Sequence, residues 1–260
     1  MATANAPAAI LEKASPADSK QNIAAMLQEK SVLQWGGIAG LVAAAIFVVS
    51  IIYQVVFIGT STTASGATPV INFPGLRTQI IVGQTLFLVG TVLLMPLFLA
   101  LFFALRRSSL APAMFGTIVS FLGIAVLGVE SEPNVAMAPI SDQYHAAGAT
   151  AAQQAAAVQV WQATQGMFNQ FDTCAYIFLS IGFILLAVAM FGAPGVGKVL
   201  GGLTGAFGVV GLVGVSLFAV TSATFAIPAL LTFVIFPLLI GWRVYRLSRG
   251  PRETIGAAPS

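Results

Sequence analysis

Long stretches without a single charge constrain this chain more than any other feature. No Asp, Glu, Lys or Arg falls within residues 31–76, 78–105, 108–129, 173–197 or 199–242. A helix needs about 20 apolar residues to cross the hydrocarbon core of a bilayer. The windows 78–105, 108–129 and 173–197 therefore hold one span each. The window 199–242 has room for two, with the polar break Thr221-Ser222-Ala223-Thr224 as the turn. In 31–76 the apolar run from Gly36 to Ile58 makes one span, and the Thr/Ser/Gly/Pro-rich stretch from Gly59 to Pro74 reads as a loop. The expected fold is thus all-α and polytopic, with six transmembrane helices at about 36–58, 79–105, 110–129, 172–192, 197–220 and 224–246. Composition agrees. Only 7% of residues are charged, 58% are hydrophobic and the mean hydropathy is +0.94, whereas soluble domains carry roughly 25% charged residues. So little polar surface excludes a soluble enzyme or a disordered chain, and the single Cys174 excludes a disulfide-stapled module.

The cations set the orientation. Arg106 and Arg107 fall between spans two and three, Lys198 between four and five, and Arg243, Arg246, Arg249 and Arg252 at the end of span six, while Lys13, Lys20 and Lys30 precede span one. In a six-span chain these all lie on one side, and only Arg77 lies on the other, so the positive-inside rule puts both termini in the cytoplasm of a bacterial inner membrane. Glu130, Glu132, Asp142 and Asp172 make the opposite face acidic, and Trp35, Trp242 and Tyr245 suit an aromatic belt on the basic side. Residues 1–30 are too polar and acidic for a cleaved signal peptide. Ser15-Pro16-Ala17-Asp18 has the pattern of a helix start, and Ile23, Met26, Leu27 and Leu33 recur at helical spacing, so 16–33 reads either as an interfacial helix or as a partly ordered tail. The division that follows is a cytoplasmic tail over 1–33, a transmembrane domain over 34–246 that includes an outer segment at 130–171, and a disordered cytoplasmic tail over 247–260.

In the outer segment, Pro133, Pro139 and Gly148 predict a loop. The Ala/Gln-rich run from Ala149 predicts a long outer helix leading into the fourth span, projecting from the membrane or bending near Gly166. Gln162, Gln165, Asn169 and Asp172 fall on one face of it, as an outer vestibule or as a solvated helix face. Asp172 adjoins the apolar span, where an unpaired, dry carboxylate is costly. Glu130, Glu132, Asp142 and His145 have the chemistry of an outer cation site, against the plainer reading of an acidic loop. In span five, Gly197, Gly201, Gly205 and Gly208 continue through Gly211 and Gly214 as a small-xxx-small face for close helix packing, within the chain or against another.

The residue inventory also forbids chemistry. His145 is the only histidine, which removes a bis-histidine haem and histidine-rich copper or di-iron sites within the bilayer. No lysine lies inside a span, so there is no retinal Schiff base. The deepest polar side chains are Gln54, Gln84 and scattered Ser and Thr, which disfavours an ion-coupled pump. Gly192-Ala193-Pro194-Gly195-Val196-Gly197-Lys198 matches G-x-x-x-x-G-K, but Val199 replaces the magnesium-binding Ser or Thr and the run joins two apolar spans, so it reads as a turn. Cys174, at the start of span four, reads as a packing residue. No cofactor, metal site or catalytic set is expected, and nothing points to nucleic acid.

From Phe171 to Gly214 the chain resembles the domain of unknown function 4386, a family of bacterial multi-span proteins. The shared features are a polar start to an apolar span (Asp172 to Phe191), a short Gly/Pro turn, and Val199-Leu200-Gly201-Gly202-Leu203 opening a glycine-bearing span. The long outer segment and the basic close after span six are similar too. The chain departs from the family in having Asp172 and Cys174 where a histidine often stands near the start of span four. The resemblance implies no activity. The sequence therefore leads to a membrane protein without catalytic activity: an accessory or structural subunit that meets other membrane subunits or itself, or a binder of a lipophilic small molecule. For the binder, Phe98, Phe102, Phe103, Phe225, Phe233 and Phe236 would line an apolar pocket. The alternative is a small-solute transporter or channel with its outer mouth at Gln162–Asp172.

Overall fold

The computed structural model describes residues 16–59, 66–130, 133–218 and 230–250. Those residues form helices joined by short turns, with no strand among them. Helix α1 is Pro16–Tyr53, continued by a π-turn at Gln54–Ile58; α2 is Thr68–Leu105 and α3 is Leu110–Glu130. Helix α4 is Pro133–Tyr144, α5 is Ala151–Phe191 and α6 is Lys198–Phe218. A π-turn at Leu231–Ile235 then leads into α7, Phe236–Arg249. Six of these helical segments are long and apolar enough to cross a membrane: Met26–Ile58, Thr68–Leu105, Leu110–Val129, Ala151–Phe191, Lys198–Val215 and Leu231–Arg249. Their outer faces carry exposed Val49, Ile52, Val92, Leu122, Val188 and Val213, the apolar belt that contact with lipid requires.

Three expectations need correction. The loop expected over Gly59–Pro74 is helical from Thr68, because Pro69 sits in the first turn, where its missing N–H breaks no helical bond. Pro74, further in, does remove a donor, and the residue four back is Val70. The buried Ser141 hydroxyl donates to the Val70 carbonyl at 2.8 Å and replaces the lost partner. Ser141 belongs to α4, which is helical where Pro133 and Pro139 predict a loop. Lastly, α1 runs without a break from Pro16 to Tyr53, so residues 16–33 continue into span one instead of forming a separate short helix. The turn expected at Thr221–Thr224 and residues 251–260 of the tail expected from 247 lie outside the described residues, while 247–249 are helical as the last turn of α7.

The long outer helix is present. Helix α5 is one 41-residue helix, roughly 60 Å long and about twice the hydrocarbon thickness, with no break at Gly166. Its start is fixed by a reciprocal cap, in which Thr150 Oγ1 accepts from the Gln153 N–H and the Gln153 side chain accepts from the Thr150 N–H at 2.8 Å.

Packing follows a ring: α1 lies between α2 and α7, α2 touches α3, and α5 is held between α3 and α6. Missing side chains allow the closest approaches. A Cβ on Gly241 of α7 would sit 2.9 Å from the Gly37 carbonyl oxygen of α1, and one on Gly123 of α3 would sit 3.0 Å from the Ala175 carbonyl oxygen of α5. The ring encloses aromatics. Phe47, Phe87 and Phe233 contact one another with centroids 4.8 to 5.5 Å apart, and Phe98, Phe183 and Phe236 stack beneath at 4.2 to 6.1 Å. A second, smaller core of Ile58, Val70, Phe73, Ile80, Met137 and Trp161 binds α4 to the outer ends of α2 and α5.

Candidate functional site

The charged residues separate the two ends of the bundle. At one end the turn after α2 carries Arg106 and Arg107, the turn between α5 and α6 leads to Lys198, and the last turns of α7 carry Arg243, Arg246 and Arg249. Glu29 of α1 reaches into this cationic end. Its carboxylate accepts from Arg107 Nη2 at 2.5 Å and lies 3.6 Å from Arg106 Nη2, and its side chain is only 13% exposed. Arg106 also lies over the Phe103 ring at 4.4 Å, a favourable cation–π position.

Beside this clamp lies an open cavity of about 130 Å³. Leu33 and Met26 of α1, Phe103 and Ala104 of α2, Ala193 and Val196 of the α5–α6 turn, and Leu247 of α7 make its walls, while Glu29, Lys30, Arg107 and Ser108 stand among them as polar groups. Convergence of four chain segments explains why apolar walls survive at a charged end. The turn from Gly192 to Gly197 is held there by Arg243 Nη2, which donates to the Gly195 carbonyl at 2.7 Å. The same run that matches a phosphate loop in sequence is therefore a tight turn between two helices, and Gly197 completes it with a φ of +95° that side chains rarely adopt. Exposed Trp35 and Trp242 ring this end, the depth at which aromatic belts meet lipid headgroups.

At the opposite end the residues singled out in sequence do not converge. Gln162 and Asn169 are exposed, Gln165 and Asp172 are half-buried, and none of the four side chains has a hydrogen bond or ion pair among the described residues. Of the four groups suggested for cation binding, Glu132 lies outside the described residues, and of Glu130 only the backbone is described. Asp142 faces Arg77 at 3.3 Å. His145, in the turn just after α4, has its Nδ1 2.9 Å from the Ser141 carbonyl oxygen of that helix. Among the described residues no three His, Cys, Asp or Glu come together as a metal group.

The glycine face is resolved more sharply. A Cβ on Gly201 would meet Met190 Cβ at 3.1 Å, one on Gly205 would meet Ala187 Cβ at 3.2 Å, and one on Gly208 would lie 2.6 Å from the Ser180 carbonyl oxygen. The partner is therefore α5 of the same chain. Gly197 is a correction, since a Cβ there would meet nothing within 4 Å among the described residues and its role is the turn. Cys174 is a second correction: it is exposed on α5 instead of packed against a neighbouring helix among the described residues. Of the six phenylalanines suggested for a pocket, Phe98, Phe233 and Phe236 fill the central stack, Phe103 lines the basic-end cavity with Phe102 edge-on against it at 5.7 Å, and Phe225 lies outside the described residues.

A family model described as Domain of unknown function (DUF4386) matches residues 13–250. The chain belongs to this family. The match extends well beyond the Phe171–Gly214 phrase and takes in both Glu29 and the α7 arginines. No curated protein and no solved structure is significantly similar to it. The site itself was missed in sequence. The signal was there in Glu29, a carboxylate on the side of the chain where Arg106 and Arg107 cluster.

Proposed function

We propose that this DUF4386 protein is a non-catalytic, multi-pass protein of the bacterial inner membrane that binds a lipophilic small molecule in the basic-end cavity. Under the positive-inside rule that cavity opens at the cytoplasmic headgroup level. The observation that carries the reading is the meeting of apolar walls and a few polar groups in one recess, the usual make-up of a small-molecule site. At about 130 Å³ it approaches the cavity of about 150 Å³ that admits benzene, enough for the end of a chain or ring whose remainder lies in the bilayer. Two rival readings lose support. The glycine face that an accessory subunit would offer to a partner is occupied by α5. A solute path inward from Asp172 past Gln84 would have to cross the aromatic stack of Phe47, Phe87, Tyr176 and Phe233.

Gly195→Leu provides the test. Its first side-chain carbon would meet only Leu247 Cδ2, at an ordinary 3.5 Å, so the added side chain enters the recess without displacing backbone. A long-chain alcohol bearing a diazirine should photolabel Leu33, Phe103 or Val196 in the purified chain, and Gly195→Leu should abolish that labelling. Labelling confined to outward residues such as Val55, Val92 and Leu122, unchanged by Gly195→Leu, would overturn the proposal.

A further inference from the structure

We infer that the basic-end cavity selects an anionic amphiphile, and that Glu29 is a built-in competitor which the incoming anion displaces from Arg107. The inference rests on the proposed binding site and adds the chemistry of its ligand. The argument begins with a donor surplus. Each guanidinium offers five N–H donors, yet Arg106 and Arg107 share the one carboxylate of Glu29. Lys30, on the cavity wall, has no ion pair among the described residues. Among the described residues of the cavity the formal balance is thus two cations, Lys30 and Arg107, against one carboxylate, with Arg106 adjoining from outside the wall. A second carboxylate or a phosphate would complete this balance, and a neutral or cationic headgroup would not.

The geometry also gives the anion an approach. The Arg107 side chain is 51% exposed while Glu29 is nearly covered, so Arg107 presents unused donors outward while bonded inward. Phe103, Leu33 and Val196 accept the adjoining apolar portion of the same molecule. A headgroup settling on these outward donors and on Lys30 draws the Arg107 guanidinium outward, against the bond that its Nη2 now makes to Glu29 at 2.5 Å. Because Glu29 ties α1 to the α2–α3 turn, the exchange loosens that tie as the site fills.

The test uses the full-length chain in nanodiscs of zwitterionic lipid, with a diazirine-bearing long-chain carboxylate and the alcohol of equal length as probes. The carboxylate should label the cavity with an apparent affinity about tenfold or more above the alcohol, the usual range for hydrogen bonds to charged groups. Arg107→Ala should lower carboxylate labelling about tenfold or more beyond any change in alcohol labelling, which removes the preference. Glu29→Gln should strengthen carboxylate binding several-fold, and Lys30→Gln should weaken it without touching the clamp. A second arm adds anionic phospholipid to the disc: competition with the carboxylate identifies a membrane lipid as occupant, and its absence identifies a free amphiphilic acid. Equal labelling by both probes, unmoved by Arg107→Ala, would overturn the anion selectivity and leave the lipophilic site standing. No cavity labelling by either probe would overturn both.

Discussion

The same substitution at two glycines of α6 should have opposite effects. A Cβ on Gly208 would lie 2.6 Å from the Ser180 carbonyl oxygen and 2.8 Å from Ile184 Cγ1. Carbon and carbonyl oxygen ordinarily approach no closer than about 3.3 Å, so Gly208→Ala creates about 0.7 Å of overlap with backbone that cannot rotate away. Relief requires α6 to move off α5, and overpacking of this kind costs about 1–3 kcal/mol. Replacing helical glycine by alanine returns up to about 1 kcal/mol. The net expectation for Gly208→Ala is a loss of up to about 2 kcal/mol. Gly202, on the same helix, has nothing among the described residues within 4 Å of an added Cβ, so Gly202→Ala keeps the gain without the clash and should be neutral or stabilising by up to about 1 kcal/mol. Unfolding in mixed micelles of increasing SDS content, followed by circular dichroism, reads the difference. Equal midpoints for the two variants would refute the packing of α6 on α5 through its glycine face.

Other outcomes follow from single contacts. Trp161→Ala, which empties a 2%-exposed position in the outer core, should cost about 3–5 kcal/mol locally. It should open the α4–α5 turn around Gly148 to limited proteolysis while the spans stay folded. Ser141→Ala leaves the Val70 carbonyl buried without a donor, a loss of about 1–3 kcal/mol that faster amide exchange in α4 would reveal. Glu29→Gln should lower overall stability by less than about 1 kcal/mol, because its arginine partners are 37% and 51% exposed. High salt should erase the difference from wild type.

The spans were legible because charge is excluded from hydrocarbon for a simple energetic reason, which marks the ends at Ile58, Leu105, Leu110, Val129 and Phe191, whereas the helices of spans one, two and four begin well before the expected residues 36, 79 and 172. Helix ends outside the bilayer were harder to read. Pro69, Pro74, Pro133 and Pro139 suggest loops locally, and only a distant hydroxyl, Ser141 on Val70, makes Pro74 tolerable inside a helix. The small-xxx-small face was plain from its period, but its partner was not, since Ser180 and Ala187 give no sign in sequence that they sit opposite Gly208 and Gly205. The outer residues drew attention by polarity alone. Helical spacing put Gln162, Gln165, Asn169 and Asp172 on one face of α5, yet no other element brings a hydrogen-bonding group to them among the described residues. The basic-end cavity is the reverse case, assembled from four segments far apart in sequence, each unremarkable by itself.

Everything proposed for the cavity depends on its opening to the cytoplasm with the cationic turns gathered around it. Cysteine accessibility tests this directly, using single cysteines at Ser108, Ser248 and Gln143 in a Cys174→Ala background in intact cells. Ser108→Cys and Ser248→Cys should resist a membrane-impermeant maleimide until the cells are opened, while Gln143→Cys should react from outside. Labelling Ser108→Cys and Ser248→Cys on opposite sides, or Gln143→Cys on the same side as both, would contradict the account.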